Sequence, residues 1–263
     1  RSFYICFCAG KEAVESMLRF DNLNVSYRHE EILHGITEQI PTGCITTILG
    51  PNGCGKTTLI SSINGSSDVT GGRILLDDTD ILKLSYKERA RLIAFLPQIR
   101  QIIPALPVKT LVEHGRFPHL GFARKKSAED IRIVDEVMHF TGIDKYKDMY
   151  ANTLSGGIRQ RVFFAMILAQ DCDTIILDEP TTYLDIEGQR IFYNMILELK
   201  EKGKTILLVL HDISKALSIS DKIIVMNNSE IVFGGTPAGC IESHILEDVF
   251  HAQCRELHDE EGT

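Results

Sequence analysis

The sequence has no apolar stretch long enough to cross a bilayer. Its longest run of branched residues, Thr205-Ile-Leu-Leu-Val-Leu210, is far short of the roughly 20 residues that a spanning helix needs. Any role at a membrane must therefore be exercised through a partner. A basic surplus is also missing. The 28 Lys and Arg are outnumbered by 36 Asp and Glu, a net charge of −8, so overall electrostatics lends no support to a nucleic-acid partner. The seven cysteines form no C-x-x-C pair and no ligand-like grouping with histidines. That excludes the usual sequence signs of a disulfide framework or a zinc site and suits free thiols in a reducing compartment. Internal repeats and low-complexity tracts are absent as well.

What is there is ordinary globular material: 263 residues, 44% hydrophobic and 24% charged, enough for one large domain or a domain carrying an insertion. Residues 1–16, with Cys6 and Cys8, read as an added leader, and Met17 as the natural start. The alternating pattern begins cleanly at Leu18, and Phe3 to Ala9 is too short and poorly flanked for a signal peptide. Residues 17–250 form one domain, and 251–263 end it as a tail, acidic and frayed from Asp259.

The chain is organised around Gly50-Pro-Asn-Gly-Cys-Gly-Lys-Thr-Thr58, which follows the buried-strand run Ile45 to Leu49 and precedes a helical pattern. Strand, glycine loop and helix are the context of a P-loop. Gly50, Gly53 and Gly55 allow the backbone amides of Pro51-to-Thr58 neighbours such as Asn52 and Cys54 to turn inward around an anion. Lys56 places a charge near the β- and γ-phosphates, and Thr57 offers Mg²⁺ a hydroxyl. Cys54, at a helix N-terminus, is expected to have a lowered thiol pKa and to react with maleimide unless ATP protects it.

Around this loop the spacing predicts strands over Leu18 to Tyr27 and Ile32 to Ile40, a turn at Gly71-Gly72, and a strand from Arg73 to Asp77. A mostly helical insertion covers about 99–154. In it, Ser127 and Asp130 form a capping box, Ile131, Val134 and Met138 share a buried face, and Gly142 ends the helix. Strands over Thr174 to Leu177 and Thr205 to Leu210 alternate with helices beginning near Ser155 and Glu187. A hairpin turns at Asn227-Asn-Ser229. Apolar strands between helices imply a parallel sheet covered on both faces, so the class is α/β with a mixed central sheet, an antiparallel β subdomain and a helical insertion.

Three further groups carry chemistry. Asp178 and Glu179 follow a buried strand, where the first can hold Mg²⁺ and the second can deprotonate a water. His211 ends another strand, at the edge of the sheet where ligands bind. Leu154-Ser-Gly-Gly-Ile-Arg-Gln-Arg161 is a second anion-binding helix start. Ser155 would cap it, and Gly156 and Gly157 would allow close approach. Two such starts are not expected to grip one phosphate within one subunit.

Together these motifs resemble the nucleotide-binding subunit of an ABC transporter, over about Met17 to Phe250. Leu154 to Gly157 is similar to that family's signature motif. The resemblance assigns Gln98 to the Q-loop, near the catalytic water and the magnesium, and Tyr27 to the aromatic that stacks on adenine. It assigns Asp185 to the D-loop and His211 to the switch histidine. It implies ATP and Mg²⁺ as cofactors, a head-to-tail pair of copies, integral membrane permease subunits as partners, and an indirect link to a substrate-binding protein. It also implies a place on the cytoplasmic face of the membrane. Leu111 to Gly121 and Asp178 to Asp185 are similar to importers for ferric siderophores, haem and vitamin B12, and Arg116-Phe-Pro-His119 is expected on the surface that meets the permease. Ile158 departs from the family's glutamine and Cys54 from its common serine. A translation or DNA-maintenance ABC ATPase fits less well, since there is one nucleotide-binding half and no long coiled coil. A small-molecule kinase would not need residues 154–157, and Glu179 and His211 argue against a non-enzymatic binder.

Overall fold

Two sheets carry the functional loops. The computed structural model describes residues 17–27, 30–98, 103–121, 125–182 and 184–251, with only the backbone of Met17 and Tyr27. The leader 1–16, the tail from 252 and the Tyr27 side chain lie outside that description. The chain runs β1 (Met17–Tyr27), β2 (Glu30–Pro41), β3 (Ile45–Leu49), α1 (Lys56–Asn64), β4 (Asp68–Leu76), β5 (Thr79–Asp80), α2 (Tyr86–Arg89), β6 (Ile93–Leu96), α3 (Val108–Glu113), α4 (Ala128–Phe140) and α5 (Gly156–Leu168). It continues through β7 (Thr174–Asp178), α6 (Ile186–Glu201), β8 (Thr205–Val209), α7 (Ile213–Ile219), β9 (Lys222–Asn227), β10 (Glu230–Gly235), α8 (Pro237–Glu242) and α9 (Ile245–Phe250).

The larger sheet has the order β10-β9-β3-β8-β7-β6. All its neighbours are parallel except the β9–β10 hairpin. β3, β7 and β8 are buried at every position, as a sheet covered on both faces requires. Alternation along each strand divides two cores. Ile45, Leu49, Ile206 and Leu208 pack with Phe164 of α5 and Phe192 of α6 on one face. Ile48, Leu207 and Val209 pack with Leu59 and Ile60 of α1 and with the second sheet on the other. Because the strands are parallel, the loops after β3, β6, β7 and β8 all emerge at one edge, and β3, β8, β7 and β6 are successive neighbours there.

The second sheet, β2-β1-β4-β5, is antiparallel. Here the structure corrects the turn expected at Gly71-Gly72: both glycines lie inside β4, opposite an irregularity in β1. Gly72 has φ +76°, and a Cβ there would stand 2.2 Å from the Asn22 carbonyl oxygen. The glycines serve a β-bulge and a close backbone approach, not a chain reversal.

Among the described residues 103–153 there are only helices and short helical turns, and an isolated bridge between Pro107 and Tyr150 closes the segment at its base. Its core, with Val108, Leu111, Val134, Met138 and Ile143, also takes in Val162 and Ala165 of α5 and Ala169 at its C-cap. Helix α5 is thus apolar on two sides and joins the segment to the sheet. α4 begins with the expected Ser127–Asp130 capping box. It ends in a Schellman turn, with Ile143 N–H on the Met138 carbonyl and Gly142 N–H on that of His139. Ile131 does not share the buried face, since it is 47% exposed while Ile133 is buried. The face is set by residues one turn apart from Asp130, which points inward.

Asp130 also accounts for a second correction. Arg116, expected on an outer surface, is buried; its Nε donates to Asp130 Oδ1 at 2.9 Å and its Nη1 to the Ala169 carbonyl at 2.8 Å. Of Arg116 to His119, only Phe117 is fully exposed. A guanidinium at this turn is satisfied by the α4 start and the α5 end, so it is a brace rather than a contact. The Asp130 carboxyl is held down at about 2, chiefly by the Ser127 backbone N–H, then by the Ser127 hydroxyl and Arg116, against the opposing effect of burial. Asp130→Asn strands a buried cation and is expected to cost about 2–3 kcal/mol in urea unfolding at neutral pH, what a lowering from about 3.9 to about 2 is worth. Because the folded value lies below the ordinary one of about 3.9, the contribution is complete above about pH 4. It is lost as the pH falls through about 2, so variant and native protein should converge only there.

Candidate functional site

Each functional side chain sits where a parallel strand stops. The P-loop leaves β3 and enters α1, around a cavity of about 530 Å³ lined by Asn52, Gly53, Gly55, Lys56, Thr57, Thr58, Gln98, Glu179, His211 and Ile32. Gly50 cannot be replaced within this packing. A Cβ would lie 2.4 Å from the Met226 carbonyl oxygen and 2.6 Å from Cys54 Sγ. Gly50 and Pro51 supply carbonyls to Lys56, whose buried Nζ donates to them at 2.7 and 2.9 Å. The loop is therefore closed around its own cation.

Cys54 does not meet the expectation of a reactive thiol. It is 5% exposed and packs in the core beneath the loop. Burial pushes its thiol up, and the nearby Lys56 charge only partly offsets this. Rapid maleimide inactivation is accordingly not expected. Desolvation outweighs the helix N-terminus because the sulfur points toward Gly50 and Met226, away from the cavity.

Beyond β8, β7 and β6 the structure gathers three side chains. Glu179 Oε1 accepts from His211 Nε2 at 2.5 Å, and Oε2 accepts from Gln98 Nε2 at 2.6 Å. An ionised carboxylate only accepts, so the tautomer that completes this bond has its hydrogen on Nε2. The Glu179 side chain is 15% exposed and His211 48%, so the acid is sheltered and the imidazole lies at the rim. Glu179 has φ +47°, uncommon outside glycine and costing of the order of 1–3 kcal/mol. Strained backbone of this kind marks positions that the surroundings hold firmly.

The residues expected to hold a magnesium ion offer oxygens of the right hardness. They comprise the Asp178 carboxyl at the end of β7, the Thr57 hydroxyl on the first turn of α1, and the Gln98 amide oxygen, which the bond to Glu179 leaves unused. This donor set fits the ion. Asp178 is 2% exposed and lies behind the cavity wall rather than on it.

The second helix start is elsewhere. Ser155, Gly157, Ile158, Arg161, Leu184, Asp185 and Glu187 line a separate cavity of about 450 Å³ that shares no residue with the first. Gly156 is the first residue of α5. Ser155 occupies the N-cap but its hydroxyl bonds to no helix amide, contrary to the expected cap. It is exposed at the surface, so the first amides of α5 are not consumed by it. A Cβ at Gly157 would meet only a Leu184 methyl, at 3.4 Å. The fold of this chain alone gives no reason for glycine there. Asp185 caps α6 by accepting from Gly188 N–H at 2.7 Å.

Two residues were not anticipated, one on the cavity wall and one beside Glu179. Ile32 comes from β2 and forms an apolar wall. Thr182, whose hydroxyl reaches Glu179, carried one signal: a hydroxyl three residues after the acid, the spacing of a side-chain-to-backbone turn.

Comparison with known proteins agrees with this arrangement. A family model described as "ABC transporter" matches residues 33–182. The chain is 37% identical over 243 residues to the petrobactin import ATP-binding protein FpuD of Bacillus anthracis, covering 92% of this chain and 89% of that one. It is 36% identical over 243 residues to the iron(3+)-hydroxamate import ATP-binding protein FhuC of Bacillus subtilis (strain 168), covering 92% and 90%. Among solved structures, a dimeric bacterial ABC transporter cassette, MJ0796, superimposes with a TM-score of 0.74 at 27% identity, over 84% of this chain and 98% of that one.

Proposed function

The chain belongs to the ABC transporter family, and from that premise we propose that it is the ATP-hydrolysing subunit of an importer for a ferric siderophore or a related metal chelate. The observation that carries the catalytic part is Glu179 fixed between Gln98 and His211 at the mouth of the P-loop cavity.

Lys56 and the α1 amides hold the triphosphate. Thr57, Asp178 and Gln98 would hold Mg²⁺, which when bound would supply positive charge to neutralise the phosphates. Glu179 takes the proton of the attacking water, and His211, donating from Nε2, orients that carboxylate and senses the γ-phosphate. Within one chain the signature helix start does not reach this cavity. A second copy placed head to tail would present Ser155 and Gly157 to the exposed side of the phosphates. The open approach to Gly157 supports that placement, as does the dimeric relative. Two helix N-termini then share one polyanion, and hydrolysis removes what holds them together. Asp185, at the edge of the signature cavity, lies where the same interface would form. Tyr27 is assigned to the adenine by resemblance.

Gln98 stands between the site and the helical segment, and is the route by which closure reaches integral membrane permease subunits. A substrate-binding protein enters only through the permease, and nucleic acid has no part. No helix among the described residues is long and apolar enough to cross a membrane, and the subunit is placed on the cytoplasmic face through its permease. The siderophore class rests on the two relatives named for petrobactin and for iron(3+)-hydroxamate import. The test is co-expression with a candidate permease, co-purification, and ATPase assays in liposomes. Stable co-purification and stimulation by a ferric chelate with its binding protein are expected. Full ATPase activity with no association with any permease would overturn the transport reading.

A further inference from the structure

We infer that Thr182 is a positioning residue for ATP hydrolysis, acting through Glu179 by clamping the turn that presents its carboxylate. The inference rests on the reading of Glu179 as the base. Thr182 Oγ1 stands 3.1 Å from the Glu179 carbonyl oxygen and 3.4 Å from Glu179 Oε2, so one hydroxyl proton is shared between the backbone and the side chain of the same residue. The Thr182 N–H also reaches the Glu179 carbonyl, at 3.4 Å.

These contacts fall on a residue whose φ is +47°. Left to itself, a glutamate relaxes out of that region, and its carboxylate swings with the backbone. The turn is anchored from the other side as well. Thr181 Oγ1 lies 3.3 Å from the hydroxyl of Tyr193, buried on α6, and Leu184 N–H bonds the Thr181 carbonyl at 3.1 Å. The two adjacent hydroxyls therefore divide the work: one ties the turn to α6, and the other ties it to the acid. Gln98 and His211 also hold the carboxylate, but each comes from a different element, whereas Thr182 and Glu179 belong to one short segment. Among the described residues Thr182 is the side-chain donor to this acid from its own turn.

The experiment compares the full chain with Thr182→Val, Thr182→Ser and Glu179→Gln in steady-state ATP hydrolysis with Mg²⁺ at neutral pH. Valine preserves shape and removes the hydroxyl; the site is exposed, so folding is not at risk, and circular dichroism checks it. The expected result for valine is a fall of about 10- to 100-fold in kcat, the size of one lost hydrogen bond to a charged group. KM should stay within twofold. Serine should restore most of the lost rate. A valine variant with native kcat, or one whose loss serine does not restore, beside an inactive Glu179→Gln, overturns this inference alone. A Glu179→Gln variant with native turnover overturns the reading of Glu179 and this inference with it.

Discussion

Replacing Glu179 with glutamine is expected to slow ATP turnover by about 10²- to 10⁴-fold, the range of a lost general base, while leaving nucleotide affinity near native. The two effects separate because of where the carboxylate sits. Oε1 faces His211 and Oε2 faces Gln98, and neither oxygen holds the P-loop. Glutamine is of equal size and keeps one acceptor. Its new NH₂ group meets the Gln98 amide, which can turn over to offer its oxygen, so the local packing survives. What is lost is the negative charge that accepts a proton. With the γ-phosphate uncleaved, the proposed bridge between two copies persists, and the variant should run as a dimer in ATP and as a monomer after its removal. Light scattering on the eluting protein and a phosphate-release assay check both halves. Hydrolysis near the native rate would remove Glu179 from its role; a monomer under saturating ATP would remove the bridge.

Replacing Lys56 with alanine is expected to act on binding itself, weakening ATP by at least about 30-fold, or roughly 2 kcal/mol, since truncating one partner of a buried charge contact commonly costs that much. Nζ is buried and donates to the carbonyls of Gly50 and Pro51. Its removal takes a cation from the phosphate site and leaves two loop carbonyls without their donor. Both losses act before chemistry, so the affinity measured by calorimetry should fall even in the Glu179→Gln background, where turnover cannot confuse it. Affinity within twofold of native would count against the P-loop as the phosphate site. The pair of variants thus divides the site by function, with one cation that binds and one carboxylate that reacts.

Much of this site could be read before any coordinates, because its chemistry is written in short contiguous stretches. Residues 50–58 make a loop wherever strand and helix flank them, and Asp178, Glu179 and His211 each follow a buried apolar run. Backbone conformation depends on near neighbours, and so does the identity of the motif. The Ser127 capping box and the turn at Asn228 and Ser229, both with positive φ, were legible for the same reason.

Local sequence, then, settles which elements form and which residue types end them. It did not determine which of those ends become neighbours. Gln98 and Glu179 are 81 residues apart, and they meet because β6 pairs with β7. Glu179 and His211 meet because β7 pairs with β8. Burial was decided at the same level. Cys54 turned from an expected nucleophile into a core residue, Arg116 from a surface contact into a brace on Asp130, and Gly71-Gly72 from a turn into a bulge. Solvent exposure and the dielectric around a group are set by atoms distant in the chain, and only the packed tertiary structure brings those atoms close.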